Sequence, residues 1–465
     1  MTGVDCFMQR YKKGEVSDLV AEEDSSSKKV ILKLAWPVIV EQALGTVTQV
    51  VDMMMVGRIG AAAITAIGLS MQPLFFSMAF GMAISVGTTA LVARHIGAGD
   101  EREAGKTLQQ SLLAVSVIMV FVSILFFAGA ETIIRFMGAE PEVVPLGTSY
   151  IRWLVPGLIF MFLGFVLTAA LRGAGNTKTP MKVNFVLNLF NIFLNYTLIF
   201  GNFGAPELGL NGAAIATSLS RGFGGIVLLI YVLRDDATVT VLKEGFFKFD
   251  FDRIRRIMKI GMPAAMEQMV MRTAQIFFVR VVSGLGTVAF AAHQIAINVE
   301  SISYMPGFGI AVAATTLVGQ NLGAEKKGQA EQSGYEAWKL GAMFMGLMAV
   351  VFLIFPEQLV RLYSNDPEII RIGALCLRIA AIAQIPMGSQ FIFAGGLRGA
   401  GETKSVFYST AISSWVGRLG VAFILINVFE IGVAGAWIAM VVDWIMRSSY
   451  VFYRFRLGDW KELEV

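Results

Sequence analysis

Asp52 stands inside the long apolar run 31–56. A second run carries Asn184, Asn188, Asn191 and Asn195 at spacings i, i+4, i+7 and i+11, which puts all four on one face of a helix. A carboxylate beside a stripe of amide oxygens makes a hard-oxygen site, able to hold Na⁺ or to take up a proton. The same asparagines could instead join helices by hydrogen bonds. Glu41 lies eleven residues before Asp52, hence on the same helix face and about 16 Å from it along the axis. Glu41 and Glu267 each follow a proline, Pro37 or Pro263, by four residues. Such a proline removes a backbone hydrogen bond and favours a kink. Two acidic side chains in equivalent surroundings, with Gln49 and Gln275 two turns further on, are candidates for meeting cationic substrates; bonds within each half are the alternative. His293, Glu300 and Tyr304, at i, i+7 and i+11, form a further polar face.

The elements that must position these residues are membrane helices. Of 465 residues, 55% are hydrophobic and only 15% charged, against about 25% charged in ordinary globular chains. A bilayer core takes about 20 helical residues to cross, and the apolar runs predict twelve spans. They are 31–56, 62–93, 108–129, 149–171, 183–201, 211–233, 260–283, 287–318, 333–355, 370–396, 406–427 and 433–453. The alternation of an outer-membrane barrel is missing. An ionised group near the bilayer centre costs about 2.5–3.5 kcal/mol on insertion scales, so each needs a partner, water or a proton. Asp52 and Asn195 lie five to six residues from the outer ends of spans that run in the same direction, hence at nearly the same depth. A similar depth count suggests an Arg272–Glu300 ion pair, and pairing or snorkelling for Arg221, Arg280, Arg418 and Asp443.

Residues 1–29 are polar and acidic, without the apolar core of a signal peptide, and are expected to be a cytoplasmic tail. Cys6 falls in that tail and Cys376 in a span, so the two are not expected to pair. Lys and Arg concentrate after the even-numbered spans, seven of them between Arg234 and Lys259. By the positive-inside rule both termini are then cytoplasmic, in the inner membrane.

Shifted by 226 residues, the chain overlays on itself. Pro37, Glu41, Gln42 and Gln49 meet Pro263, Glu267, Gln268 and Gln275, and Leu171-Arg-Gly-Ala-Gly175 meets Leu397-Arg-Gly-Ala-Gly401. Six spans per copy gives both copies the same orientation, related by an axis along the membrane normal, with a central cavity expected where they meet. The fold class is therefore all-α integral membrane, with twelve transmembrane helices in two pseudo-symmetric six-helix lobes. The expected division is a tail 1–29, an N-terminal lobe 30–233, a cytoplasmic linker 234–259, a C-terminal lobe 260–455 and a tail 456–465.

The run from Pro37 through Glu41 and Asp52 to Gly57 resembles the first helix of the MATE (multidrug and toxic compound extrusion) family. Ala291-Ala-His-Gln-Ile295, Thr316-Leu-Val-Gly-Gln-Asn-Leu-Gly-Ala324 and the twin Leu-Arg-Gly-Ala-Gly loops are similar to that family as well. The resemblance covers residues 30–455. It implies alternating access and antiport of amphipathic, mostly cationic compounds against Na⁺ or H⁺, with Asp52 as the matching first-helix aspartate. In some relatives the position of Asn195 is a second aspartate, and some members use an acid on span 10. This chain has Asn195, and no Asp or Glu between Ile372 and Leu397.

Gly99-Asp-Glu-Arg-Glu-Ala-Gly105-Lys106-Thr107 imitates a phosphate-binding loop but has five residues between its glycines where four are required, and it follows a membrane helix. No nucleophile, base and orienter grouping marks an enzyme. The expectations are thus a non-enzymatic monomeric antiporter with no cofactor and no nucleic-acid partner, whose partners are the bilayer and small cationic amphiphiles. The coupling ion is Na⁺ or H⁺, and the only metal site is for Na⁺ at Asp52. The competing reading is a flippase for a lipid-linked substrate, whose pyrophosphate would call for a basic cavity rather than an acidic pair.

Overall fold

The computed structural model describes residues 28–241 and 248–463, so the expected tail through Ser27, with Cys6, lies outside the described residues. Twelve long helices follow in order. They are α1 (Lys28–Gly57), α2 (Ala61–Gly97), α3 (Glu101–Phe136), α4 (Val143–Gly173), α5 (Lys178–Phe200), α6 (Gly209–Val232) and α7 (Phe251–Ser283). Then come α8 (Thr287–Gly323), α9 (Lys327–Ile354), α10 (Pro367–Gly399), α11 (Thr403–Asn427) and α12 (Val433–Leu457). Among the described residues there is no strand.

Ten of the twelve are long and apolar enough to cross a membrane. The other two, α7 and α12, carry charges within the span, such as Glu267 and Arg272 on α7 and Asp443 and Arg447 on α12. Most helices outrun the predicted spans: α3 covers 36 residues, about 54 Å, against a hydrocarbon core of roughly 30 Å. Apolar content stops at the first charges, whereas the helix continues until a cap ends it. Asp100 accepts from the backbone N–H of Glu103 to start α3, and Asp366 does the same for Glu368 ahead of α10, with Pro367 in the first turn.

The repeat is visible in the backbone. Gly60 and its mate Gly286 have φ of 139° and 96°, and Gly175 and Gly401 have 86° and 89°. The final glycine of each Leu-Arg-Gly-Ala-Gly loop is there because the turn needs a positive φ that side chains resist.

The chain forms two compact units, each closed around its own buried apolar cluster. One consists of Val40–Gly261, and the other of Met262–Val465 with the stretch that ends at Ile39. The boundaries fall within α1 and α7, two or three residues beyond Pro37 and just before Pro263. In the first unit a Cβ at Gly261 would lie 1.7 Å from the Ala83 carbonyl oxygen, so α7 and α2 touch backbone to backbone. In the second, a Cβ at Gly309 would lie 2.9 Å from the Ala35 carbonyl oxygen. Ala35 and Ala83 are the repeat mates of Gly261 and Gly309. The same crossing is thus built twice, with glycine on opposite members.

The end of the expected linker is fastened to the first unit. Gln110 donates to the Lys248 carbonyl at 2.8 Å and accepts from the Asp250 N–H at 2.9 Å, while Arg253 pairs with Glu103 and Asp250. The backbone N–H and guanidinium of Arg253 hold the Asp250 carboxyl below its ordinary range, so this fastening keeps its charges at neutral and mildly acidic pH.

Candidate ion and substrate site

In the first unit α1 presents Asp52 to two amides one turn apart on α5. Asn195 donates to the Asp52 Oδ1 at 2.7 Å and reaches the Asn191 Oδ1 at 3.3 Å. The amide atom of Asn191 nearest the carboxylate lies 3.1 and 3.2 Å from its two oxygens. With nitrogen there, Asn191 donates to Asp52. With oxygen there, oxygen faces oxygen, which requires a shared proton or a cation between them. Both asparagines are buried, and the Asn195 Oδ1 has no hydrogen-bond partner among the described residues. Arg221 of α6 is close enough to act on the Asp52 charge, and that charge in turn reaches Tyr150 of α4. The arrangement offers carboxylate and amide oxygens at one depth, as expected, and sequence reasoning missed Tyr150.

The asparagine stripe divides. Asn191 and Asn195 serve Asp52, Asn184 donates to the Glu41 Oε1 at 2.8 Å, and half-buried Asn188 makes no side-chain hydrogen bond among the described residues. The structure therefore does not bring Asn188 to Asp52.

Glu41 and Glu267 sit in matching surroundings. Arg172 of α4 pairs with Glu41 at 2.8 Å. Arg398 of α10 reaches both Glu267 oxygens, at 2.9 and 2.8 Å, and Thr410 donates to the Oε1 at 3.0 Å. Arg172 and Arg398 are repeat mates, as are Asn184 and Thr410. Each glutamate thus joins a proline-bearing helix to an arginine at the end of α4 or α10. These arginines were legible only as part of a turn motif; their repetition at the glutamates' own offset was the available signal. Gln49 is exposed, and Gln275, also exposed, accepts from Arg272 at 3.2 Å.

In the second unit Glu300 is buried and accepts from Tyr304 at 3.1 Å. The expected Arg272–Glu300 pair is not formed, because Arg272 is exposed and turns to Gln275, three residues along its own helix. Equal depth does not fix the direction in which a side chain leaves its helix. His293 is buried among the rings of Phe278, Phe290 and Trp437, with neither nitrogen hydrogen-bonded among the described residues. Asp443 pairs with Arg418 at 2.7 Å and Arg447 at 2.6 Å, and Arg447 donates to Ser414 at 2.8 Å. Ser414 and Arg418 come from an eight-residue stretch of α11, Ser413–Gly420, that winds as a π-helix.

The family model described as MatE matches residues 37–197 and again 263–424, the two copies of the repeat. A relative named "Probable multidrug resistance protein NorM", from Thermotoga maritima, is 35% identical over 449 residues, covering 96% of each chain. "Multidrug resistance protein MdtK" from Yersinia pseudotuberculosis is 29% identical, over 92% of this chain and 94% of the relative. Among solved structures, a crystal structure of MATE in the straight conformation matches with a TM-score of 0.88 at 23% identity, over 97% of this chain and all of that one. A MOP superfamily transporter from Pyrococcus furiosus matches with a TM-score of 0.87 at 24% identity, over 98% of this chain and all of the other.

Proposed function

The chain belongs to the MATE family, and from that premise we propose that it exports amphipathic, mostly cationic drugs by alternating access, in exchange for Na⁺ or H⁺. The full-length relatives named as multidrug resistance proteins support the export of drugs. The observation that carries the coupling is Asp52 within α1, with Asn195 at 2.7 Å and Asn191 next to it. Proton loading would let Asp52 donate to the Asn191 oxygen. Na⁺ loading would use that oxygen, the carboxylate and the Asn195 Oδ1, whose lone pairs no other described residue takes up. We place the protein in the cytoplasmic membrane with both termini inside, as its basic inner connections favour, and propose that it works as a monomer.

Purified protein in vesicles, loaded with a cationic dye and given either a pH gradient or a Na⁺ gradient alone, tests this reading. One gradient is expected to drive export. If neither does, the antiport proposal fails.

Glu41 and Glu267 are the proposed contacts for cationic substrates, which would compete with Arg172 and Arg398 for the carboxylates. Glu41→Gln keeps the shape and removes the charge. It is expected to weaken cationic substrates roughly ten- to a hundredfold, in line with about 1.5–3 kcal/mol for hydrogen bonds to charged groups, while leaving neutral ones nearly unchanged. Equal weakening of both classes, measured by ligand binding, would assign Glu41 to holding α1 against α4 instead.

A further inference from the structure

One cavity in the first unit lies away from Asp52 and Glu41. It is a groove of about 720 Å³ between the end of α3 and the start of α4, lined by Phe127, Glu131, Arg135, Thr148, Arg152 and Trp153 among others. Arg135 is held by Glu131 at 2.8 Å. Arg152 pairs with no carboxylate among the described residues: its Nε donates one long bond, 3.4 Å, to the Phe127 carbonyl, and its guanidinium lies 5.8 Å over that ring. Thr148 is buried in the wall, and its hydroxyl has no hydrogen-bond partner among the described residues. Two guanidinium groups and one carboxylate leave the groove with a net positive charge.

Depth tells what this charge meets. The 31 residues of α4 span about 46 Å, so a centred helix extends roughly 8 Å past each side of a 30 Å hydrocarbon core. Arg152 is nine residues into α4, about 13 Å from its start, hence roughly 5 Å below the boundary, within snorkelling reach of the headgroups. Trp153 and Phe127 are exposed beside it, as aromatic side chains at a lipid boundary are, and Phe121, Ile124 and Leu125 continue an exposed apolar face along α3.

The same charged trio recurs in the other repeat. Glu357, Arg361 and Arg378 stand 226 residues after Glu131, Arg135 and Arg152. There Glu357 lies 3.8 Å from Arg361 and 3.4 Å from Arg378, so one carboxylate serves both arginines. In the first repeat Glu131 is committed to Arg135, and Arg152 is left facing the groove.

We propose that this groove binds an anionic phospholipid, with its phosphate on Arg152 and an acyl chain along Phe127 and Trp153. The proposal is independent of the transport reading, since it rests on a different set of residues. A phosphodiester supplies the counter-charge that no carboxylate among the described residues gives Arg152, and the apolar rim suits the chains attached to it.

The test uses the full-length protein extracted from bilayers of equal parts phosphatidylglycerol and phosphatidylcholine, with retained lipid measured by native mass spectrometry. Wild-type protein is expected to retain phosphatidylglycerol about fivefold over phosphatidylcholine, the ratio of roughly 1 kcal/mol for one basic residue at a membrane surface. Arg152→Gln should bring the ratio close to one, Arg152→Lys should keep most of it, and Arg378→Gln, in the self-paired trio, should leave it unchanged. Monodisperse elution of each variant shows that it is folded. Arg152→Gln retaining the wild-type ratio, or a wild type without headgroup preference, would overturn the proposal. So would displacement of the lipid by millimolar inorganic phosphate, which would make the site one for free anions.

Discussion

Asp52→Asn protein, reconstituted in vesicles, should bind dye and fail to export it when a gradient is imposed. The substitution keeps the volume and one of the two oxygens, so Asn195 can still find an acceptor where it now donates at 2.7 Å. What disappears is the charge that a proton or cation neutralises. One charge crossing the full field is worth about 2.3 kcal/mol per 100 mV, a concentration ratio of about fiftyfold. Gradient-driven accumulation should therefore drop by at least that factor, to the level of passive leak. Wild-type export by purified Asp52→Asn protein would move the coupling elsewhere, with Glu300, buried beside Tyr304, the leading alternative. Glu267 is less suited, since Arg398 and Thr410 already occupy its oxygens.

The largest loss of stability is expected from Asp443→Asn. Asp443 is fully buried, and it is the carboxylate that Arg418 and Arg447 share, themselves 15% and 3% exposed. Without it two guanidinium groups face each other in a low-dielectric interior. Breaking a buried pair by removing one partner typically costs about 3–5 kcal/mol. For a cooperative unit of some two hundred residues this is roughly 10 °C in melting temperature. Replacing all three, with Asp443→Leu, Arg418→Met and Arg447→Met, should recover most of the loss, because an apolar trio needs no counter-charge. A thermal melt of Asp443→Asn within 2 °C of wild type, roughly 1 kcal/mol on the same scale, would show that water already reaches this cluster.

Much of the architecture was legible because hydrophobic length and a fixed repeat are one-dimensional signals. Depth could be counted as well, which is why Asp52 and Asn195 were expected at one level, and they meet by a direct hydrogen bond. What could not be counted was azimuth and end geometry. Arg272 and Glu300 have similar depths and different directions. Arg172 and Arg398 looked like loop residues, yet each lies within the last turn of its helix, where a long side chain reaches back to a glutamate. The π-helical stretch of α11 has no sequence signature either: Ser413-Ser-Trp-Val-Gly417 would suit an ordinary helix.

The sharing of α1 and α7 between units bears on how such a chain could have arisen. Each compact unit is completed by a half-helix encoded in the other copy of the repeat: one takes the stretch ending at Ile39, the other the stretch ending at Gly261. A single-copy ancestor packed in the same way would have exchanged first half-helices with a second molecule, as a swapped pair. Fusion of two copies turns that encounter into an intramolecular one, at an effective concentration set by the tether. It also releases the two copies from being identical. Glu41 and Glu267 remain a matched pair, but the mate of Asp52 is Phe278, and the mates of Asn191 and Asn195 are Gly417 and Val421. A swapped homodimer would have carried the aspartate twice or not at all; the fused chain keeps one.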